Sequence, residues 1–367
     1  MTDTSIHSPE RTANFVDRRT FLQRATAGSL ALALPDLSGF FAATRMGVVV
    51  HSYGNRWNSK ADSKQYPGFA NAVDLIEHCH RIGAGGVQVV VGNWTTDFAQ
   101  KVRTTREKLG LYLEGSIGVP KKAEDVPRFE QDVKNAQEAG AQILRTVVSS
   151  GRRYETYHSP EAFGELKKNA LISLRLADPV LRKYKVKLAV ENHKDWLANE
   201  LVDLLKQLNS EWIGVTLDFG NSIALLEDPM EVVQTLVPYV MSTHVKDMAV
   251  EAYADGFRLS EVPLGKGFLD LSKMVSLCKK QNPNVAFNLE MITRDPLDIP
   301  CLNDSYWKTF SGVSGSDLAQ ALRLVREHKY QGALPRTSQL SPEARLAVEE
   351  ENIVSCLAYS KTQLGLK

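Results

Sequence analysis

Short runs of apolar and β-branched residues recur along the chain from residue 46 onward, and they alternate with longer amphipathic stretches. The apolar runs are residues 46–51, 86–91, 111–117, 143–148, 187–192, 213–218, 240–245 and 285–290. Between them, apolar residues repeat at i, i+3 and i+4, which predicts helices with one buried face. Alternating strands and helices are typical of a parallel sheet. Eight such strands close on themselves, so the pattern predicts an α/β fold of the (β/α)8 barrel type.

The segments after the last two predicted strands lack this periodicity. Residues 248–268 hold aromatic, charged and glycine residues, and we expect them to form a lid or substrate-binding loop over the catalytic face. Residues 291–310 are expected to form another irregular loop. We expect residues 317–327 to be the eighth barrel helix, so that the barrel spans residues 46–330. Residues 331–367 are then a C-terminal helical extension, with an amphipathic helix at 341–364 that packs on the barrel or on another subunit of a possible homo-oligomer.

The N-terminal residues 1–45 are predicted to be an export signal and linker. The paired Arg18 and Arg19 are followed by Phe21 and Leu22, and then by a mildly apolar run at residues 25–34. This arrangement resembles a twin-arginine signal, which predicts a periplasmic or extracytoplasmic location. The alternative is a basic tail without a targeting role. The apolar run is too short to span a bilayer, so we expect no stable membrane insertion.

The charge balance narrows the classes of partner. Lysine and arginine together number 44 and aspartate and glutamate 43, so the formal net charge is only +1. No long-range field would attract nucleic acid to the whole molecule, and a small, roughly neutral ligand is the better expectation. The four cysteines show no CxxC spacing, and we interpret them as small buried residues.

Candidate metal ligands stand at the ends of the last four predicted strands. Glu191, Asp218, His244 and Glu290 each follow an apolar run, and the intervals from Glu191 to Asp218 and from Asp218 to His244 each approximate one βα unit. The carboxyl ends of barrel strands converge on one face, which brings such side chains within reach of one ion. Each residue alone would be interpreted as a salt-bridge partner or a structural histidine. Together they predict a site for a divalent cation, Mn²⁺ most of all, with Mg²⁺, Co²⁺ or Zn²⁺ as alternatives.

Further polar residues near strand ends are candidates for substrate binding. His51 follows the first strand, Arg145 lies in the fourth, and His193 follows the fifth. Arg145 could equally be a structural ion-pair partner. Trp57 lies in the loop after the first strand, where its ring could stack on a sugar or simply anchor the loop. Glu114, within the third strand, is a weaker candidate.

Five short motifs carry a resemblance to a known family. They are A-V-E-N-H from Ala189, L-D-F-G-N from Leu217, T-H-V-K-D from Thr243, P-L-G-K-G from Pro263 and N-L-E from Asn288. In these motifs the chain resembles the xylose-isomerase-like TIM-barrel superfamily, which includes ketose 3-epimerases, hydroxypyruvate isomerase, inosose dehydratase and, more distantly, endonuclease IV. The resemblance covers about residues 46–327 and implies a (β/α)8 TIM barrel with a metal held by Glu, Asp, His and Glu.

The resemblance also implies roles for individual residues. In ketose 3-epimerases the two metal-bound glutamates move protons on opposite faces of the substrate, which implies acid and base roles for Glu191 and Glu290. A metal that chelates neighbouring carbonyl and hydroxyl oxygens acidifies the intervening C–H and stabilises an enediolate, so the assignment is also chemically reasonable. Lys246 corresponds to a strand-end lysine that can contact a substrate oxygen in the isomerase and dehydratase branches.

Two positions depart from the ketose 3-epimerase pattern. Asn221 stands where those enzymes usually have a histidine, and Val250 stands where they usually have an arginine. Both positions normally contact substrate, so Asn221 is a substrate-binding candidate and the pattern disfavours a 3-epimerase of free ketoses.

These observations favour a divalent-metal-dependent sugar isomerase or epimerase that acts through an enediolate. A lyase or dehydratase acting on keto-sugars or 3-keto-glycosides is the main alternative, because it begins with the same proton abstraction. A non-catalytic sugar-binding barrel is a third possibility. A phosphodiesterase is disfavoured, since that chemistry needs several zinc ions and more histidine ligands than the strand ends supply.

Overall fold

A computed structural model of the chain describes residues 44–57, 59, 61–149 and 151–366. The predicted export signal, with Arg18 and Arg19, lies outside the described residues. Within the described part of the chain, no helix combines the length and the hydrophobicity needed to cross a bilayer.

The described residues form eleven strands, numbered in chain order. They are β1 (Gly47–Val49), β2 (Gly86–Val90), β3 (Tyr112–Ser116), β4 (Ile143–Thr146), β5 (Lys187–Glu191), β6 (Ile213–Asp218), β7 (Val240–Val245), β8 (Asp247–Tyr253), β9 (Gly256–Val262), β10 (Ala286–Leu289) and β11 (Leu297–Ile299). Eight of them close a barrel, in the order β1, β2, β3, β4, β5, β6, β7, β10, and every neighbouring pair is parallel. The predicted barrel is therefore confirmed. Strands β6 and β7 have the predicted bounds, and the other six end one or two residues earlier.

Helices follow most of the barrel strands. They are α1 (Gly54–Trp57), α2 (Ala72–Arg81), α3 (Thr96–Leu109), α4 (Val126–Glu138), α5 (Arg153–Thr156), α6 (Pro160–Tyr184), α7 (Ala198–Leu208), α8 (Pro229–Leu236), α9 (Leu271–Gln281), α10 (Gly315–Glu327) and α11 (Pro342–Gln363). Short 3₁₀ segments lie at Val50–Tyr53, Ala123–Asp125, Asn221–Leu225, Val237–Tyr239, Asp304–Thr309 and Thr337–Gln339.

Tyr112 fills the amino end of the barrel. Its ring occupies the space left by the missing side chains of Gly47 and Gly86, where an added Cβ would collide with it. The Tyr112 hydroxyl lies 3.0 Å from the Phe287 carbonyl oxygen and 2.9 Å from Asn288 Oδ1. A large aromatic ring at this end closes the barrel, so the open space is left at the carboxyl ends of the strands.

The segment after β7 is regular, and the prediction of an irregular lid at residues 248–268 is wrong. Strands β8 and β9 form an antiparallel hairpin, and β11 adds to it as a third strand. The prediction of a wholly irregular loop at residues 291–310 is wrong for the same reason. Val250, Phe257 and Leu259 are fully buried in an apolar cluster that is separate from the barrel core. The three-stranded sheet of β8, β9 and β11 therefore packs on an apolar core of its own.

Of the last two helices, the first departs from its prediction, and the second packs on the barrel, which was one of the two alternatives expected for it. Helix α10 places Val325 in the apolar cluster of the hairpin, so the prediction that residues 317–327 are the eighth barrel helix is wrong. Helix α11 instead contributes Ile353, Cys356 and Leu357 to the barrel core. It packs against β10 and the segment that follows β1. The apolar residues of α10 therefore reach the cluster of the hairpin, and those of α11 reach the barrel core.

We predict that Ile353→Ala lowers the free energy of unfolding by about 2–5 kcal/mol, because it opens a cavity at a fully buried position of the barrel core. Urea denaturation followed by circular dichroism measures the change. Glu351→Ala, at an exposed position of the same helix, is the matched control and should stay within about 0.5 kcal/mol of the wild type. Equal stability of the two variants would contradict the packing of α11 on the barrel.

Candidate metal centre

The register of the barrel strands brings four side chains to one level. Asp218, the last residue of β6, is paired directly with His244 of β7. Glu191 ends the neighbouring strand β5, and its pair on β6 is Thr216. Glu290 follows β10, and its backbone N–H continues the ladder by donating to the Val245 carbonyl at 2.9 Å. Neighbouring strand ends therefore direct three carboxylates and one imidazole to the same point.

The four side chains form a compact buried cluster. Their potential ligand atoms, one from each of Glu191, Asp218, His244 and Glu290, all lie within 4.8 Å of one another. His244 Nδ1 is 3.5 Å from Glu191 Oε2, 3.8 Å from Asp218 Oδ2 and 3.4 Å from Glu290 Oε1. Such spacing around a common centre suits a divalent cation with mixed oxygen and nitrogen ligands.

A chain of hydrogen bonds fixes which nitrogen of His244 faces the cluster. The Glu114 carboxylate accepts from Gln88 Nε2 at 3.0 Å, and it also accepts from the side chains of Ser242 and Asn288. This contact turns the Gln88 carbonyl oxygen toward His244 Nε2, at 2.8 Å. Nε2 therefore carries a proton in either charge state of the ring, and in the neutral imidazole the lone pair of Nδ1 is directed at the carboxylates.

Two buried atoms of the cluster lack a hydrogen-bond partner among the described residues. They are His244 Nδ1 and Asp218 Oδ2. Lys246 Nζ lies 2.8 Å from Asp218 Oδ2, which makes an ion pair although the angles are outside hydrogen-bond geometry. The other oxygen, Asp218 Oδ1, accepts from the backbone N–H groups of Gly220 and Asn221 at 2.9 and 2.8 Å. Buried polar atoms without partners are costly, and a bound cation would satisfy both of them. The residues present therefore fit a metal ion.

Two buried cations offset part of the negative charge. Arg145 forms an ion pair with Glu191, in which Arg145 Nε donates to Glu191 Oε2 at 2.5 Å. Lys246 lies 2.5 Å from Glu290 Oε2 as well as close to Asp218. The three carboxylates and the two cations together carry one negative charge when the imidazole of His244 is neutral. Binding of a divalent cation would change that net charge to +1.

The pKa shifts describe a site that attracts positive charge. Burial lowers the pKa of His244, but the carboxylates of Glu290 and Glu191 outweigh that effect and raise it to about 10. A proton on His244 thus takes the place that a metal would occupy. Burial raises the pKa of Asp218 to about 6 in spite of Lys246. Burial alone would raise the pKa of Glu191, but the Arg145 guanidinium holds the pKa of that carboxyl well below its usual range.

A pocket of about 340 Å³ opens beside the cluster, a size at the low end of small-molecule sites. The lining residues are His51, Arg145, Gly151, Arg152, Glu155, His193, Lys194, Asn221, Lys246, Glu290, Ile292 and Arg294. The structure therefore brings Glu290 and Lys246 together with four of the residues predicted to bind substrate. Trp57 is not among the lining residues, because its ring packs against Phe69 at a centroid distance of 6.3 Å. Glu191 is also absent from the lining.

Asn221 connects several residues of the site. Its Nδ2 donates to Glu191 Oε1 at 3.0 Å, and its Oδ1 accepts from Lys194 and from Lys246. His193 lies beside it, and burial lowers the pKa of His193 to about 3, so that this imidazole is neutral. A neutral imidazole can donate one hydrogen bond and accept another, which suits a substrate hydroxyl.

Sequence reasoning missed several residues of the site. Lys194 lines the pocket next to His193, and Arg294 lines it from the segment after β10. Arg294 forms a two-pronged pair with Glu261 of the hairpin, at 2.5 and 3.1 Å. Gln88 was missed too, although a glutamine in the apolar run Val87 to Val90 is unusual enough to have marked it. The pairing of Arg294 with Glu261 is long-range and left no local pattern.

Asp247 has a structural role in the T-H-V-K-D motif. Its carboxylate accepts from the backbone N–H groups of Met248, Gly265, Gly267 and Leu269, at 2.9–3.2 Å. The glycines of the P-L-G-K-G motif are needed here, because a Cβ at Gly267 would collide with Asp247. This cradle fastens the end of the hairpin to the barrel next to Lys246.

Comparison with known proteins agrees with this geometry. The family model described as xylose isomerase-like TIM barrel matches residues 109–328. The chain belongs to the xylose isomerase-like TIM-barrel family. That match covers β3 to β11 and includes all four residues of the cluster.

Individual relatives are distant. A 3-oxo-isoapionate decarboxylase from Pectobacterium atrosepticum is 24% identical over 247 residues, which are 65% of this chain and 83% of the relative. A D-psicose 3-epimerase, solved in the presence of D-fructose, superposes with a TM-score of 0.59 at 15% identity, over 87% of this chain and 99% of that one. A xylose isomerase-like protein from Mycobacterium smegmatis, in complex with magnesium, has a TM-score of 0.52 at 16% identity, over 77% and 99% of the two chains. At these identities the solved structures support the fold alone.

We predict that the purified chain binds one Mn²⁺ and that Asp218→Asn weakens binding more than about 100-fold, because an amide oxygen carries no charge to offset the dication. Isothermal titration calorimetry after removal of metal with EDTA measures the affinity. Asp203→Asn, at an exposed position on α7, is the control and should bind like the wild type. Unchanged affinity in Asp218→Asn would place the metal elsewhere.

Gln88→Leu should weaken Mn²⁺ binding about 10–100-fold, although Gln88 is not a ligand. The substitution removes the acceptor that keeps the proton on His244 Nε2, so the imidazole loses its fixed orientation. The same titration measures the effect, with the exposed Gln320→Leu as control. If Gln88→Leu binds Mn²⁺ as the wild type does, the hydrogen-bond chain from Glu114 does not orient the ligand.

Proposed function

We propose that this chain is a divalent-metal-dependent enzyme that moves a proton next to the carbonyl group of a small sugar-derived substrate. The observation that carries the proposal is the position of Glu290, which belongs to the metal cluster and also lines the pocket. A carboxylate at that boundary can reach a substrate carbon while its neighbours hold the ion.

The chemistry divides between the ion and the protein. A divalent cation in the cluster would polarise the substrate carbonyl and stabilise the negative charge that develops on its oxygen. Glu290 would accept the proton from the neighbouring carbon. Lys246, 2.5 Å from Glu290 Oε2, keeps that carboxylate ionised and therefore in the proton-accepting form.

Other lining residues would position the substrate. His51 Nδ1 lies 3.4 Å from Glu290 Oε1, and its side chain is 42% exposed, so it can reach a ligand in the pocket. The neutral His193 faces the pocket and has a buried Nδ1 without a hydrogen-bond partner in the described residues. Both imidazoles suit sugar hydroxyl groups, which donate and accept hydrogen bonds.

The engagement of Glu191 favours chemistry on one face of the substrate. One Glu191 oxygen is bound by Arg145 and the other by Asn221 Nδ2, and Glu191 does not line the pocket. An epimerase of the two-glutamate type needs a second base on the opposite face. Isomerisation through a single base, or elimination, needs only Glu290. This supports a lyase as a second candidate function, and the similarity to a decarboxylase is compatible with it.

Glu290→Gln should lower proton exchange about 10²–10⁴-fold, because an amide cannot accept the proton. The measurement follows deuterium incorporation from D₂O by NMR, using Mn²⁺-loaded protein and a panel of ketoses, 3-keto-glycosides and keto-sugar acids. Glu124→Gln, at an exposed position distant in sequence from Glu290, is the matched control. Wild-type exchange in Glu290→Gln would remove Glu290 from the proposed mechanism.

The same reactions distinguish the two candidate functions. A rearranged or epimerised sugar indicates an isomerase or epimerase, whereas a released fragment such as CO₂, water or an aglycone indicates a lyase. Because Glu191 is engaged on both oxygens, we expect no epimerised product. Epimerisation by the wild type would show that Glu191 leaves Arg145 during turnover.

A further inference from the structure

Most of the cations that line the pocket already have a carboxylate partner. Arg152 lies 2.5 Å from Glu155, Arg294 is paired with Glu261, and Arg145 is paired with Glu191. Lys246 lies between Asp218 and Glu290. These pairs hold the side chains in place, and each of these cations is already paired with a carboxylate of the protein.

Lys194 differs from the other lining cations. Its side chain is buried, with 3% exposure, and the amide oxygen of Asn221 accepts a hydrogen bond from its Nζ. Among the described residues, no carboxylate lies within ion-pair distance of Lys194. Burial of an ammonium ion without a counter-ion costs free energy. An anion bound in the pocket would offset that cost at Lys194.

The surroundings of Lys194 point to a ligand as that anion. Burial and the neighbouring Lys246 lower the pKa of Lys194 to about 8, which leaves the ammonium form dominant at neutral pH. Asn221 joins Lys194 to Glu191, so the ammonium has a fixed position relative to the metal cluster. A substrate in the pocket can therefore contact both the metal cluster and Lys194.

We propose that the substrate carries a carboxylate and that Lys194 binds it, so that the site acts on a sugar acid or keto-sugar acid. A single uncommitted cation matches the single charge of a carboxylate, whereas a phosphate dianion would call for a second. This inference rests on the proposed function for the identity of the site as catalytic, and it adds the class of substrate.

Binding of a matched pair of ligands tests the proposal without turnover. D-Gluconate and D-glucitol share a carbon chain and differ in a carboxylate against a hydroxymethyl group. With the Mn²⁺-loaded full chain, calorimetry should give a preference for gluconate of about tenfold or more. In Lys194→Met the preference should fall to about twofold or less, and Lys194→Arg should restore part of it.

Controls separate the role of Lys194 from a general effect of charge or folding. Lys168→Met removes an exposed lysine that is paired with Glu165, and it should keep the full preference. Unchanged Mn²⁺ affinity in Lys194→Met shows that the variant is folded with its metal cluster intact. If that affinity is lost, the arginine variant supplies the comparison.

Several results would overturn the inference. They are equal binding of gluconate and glucitol by the wild type, absence of binding of either, a gluconate preference that survives in Lys194→Met, and tighter binding of D-glucose 6-phosphate than of gluconate. Failure of the proposed function is visible separately, as loss of the deuterium exchange that depends on Glu290. A chain that keeps the Lys194-dependent preference but exchanges no proton would support the anion site and refute the enzymatic role.

Discussion

The structure depends on the balance of charge among three buried carboxylates, one imidazole and two buried cations. Glu191, Asp218 and Glu290 would repel one another if they stood alone in a low-dielectric interior. Arg145 and Lys246 reduce that repulsion, because Arg145 is paired with Glu191 and Lys246 with both Asp218 and Glu290. The remaining negative charge, with the unpartnered His244 Nδ1, gives the site its affinity for positive charge.

A layer of hydrogen-bonded polar side chains next to the cluster determines how His244 is oriented. Glu114 can orient Gln88 only because its own carboxylate also receives hydrogen bonds from Ser242 and Asn288. Gln88 in turn selects the tautomer of His244. Four barrel strands, β2, β3, β7 and β10, contribute to this layer, so the metal cluster and the interior of the barrel form one cooperative structure. The Tyr112 ring closes the opposite end and leaves the open space where the chemistry lies.

The barrel and the four-residue cluster were predictable because both depend on local sequence pattern. Each ligand follows a run of apolar residues, and parallel strands with aligned ends bring such residues together whatever the loops do. The hairpin at β8 and β9 was less predictable, because its charged and glycine residues obscure the alternation of Val250 and its neighbours. Its presence also shifted the eighth helix position to α11, which no local pattern could reveal.

For the individual residues of the site, too, local sequence indicates position but not long-range partners. Lys194 follows the end of β5 by three residues, but its lack of a carboxylate partner among the described residues is a property of the fold. The partners of Arg294 and Arg145 come from distant segments, so their neutralised state is visible only in three dimensions. Trp57 was a candidate either for stacking on a sugar or for anchoring its loop, and its ring packs against Phe69.

Anomalous diffraction at the manganese edge, from crystals grown with Mn²⁺, tests the central claim most directly. The account predicts one strong peak at the carboxyl ends of β5, β6, β7 and β10, bonded to His244 through Nδ1 and to oxygens of Glu191, Asp218 and Glu290. A peak bonded to Nε2, a peak outside this cluster, or no peak at all would contradict it.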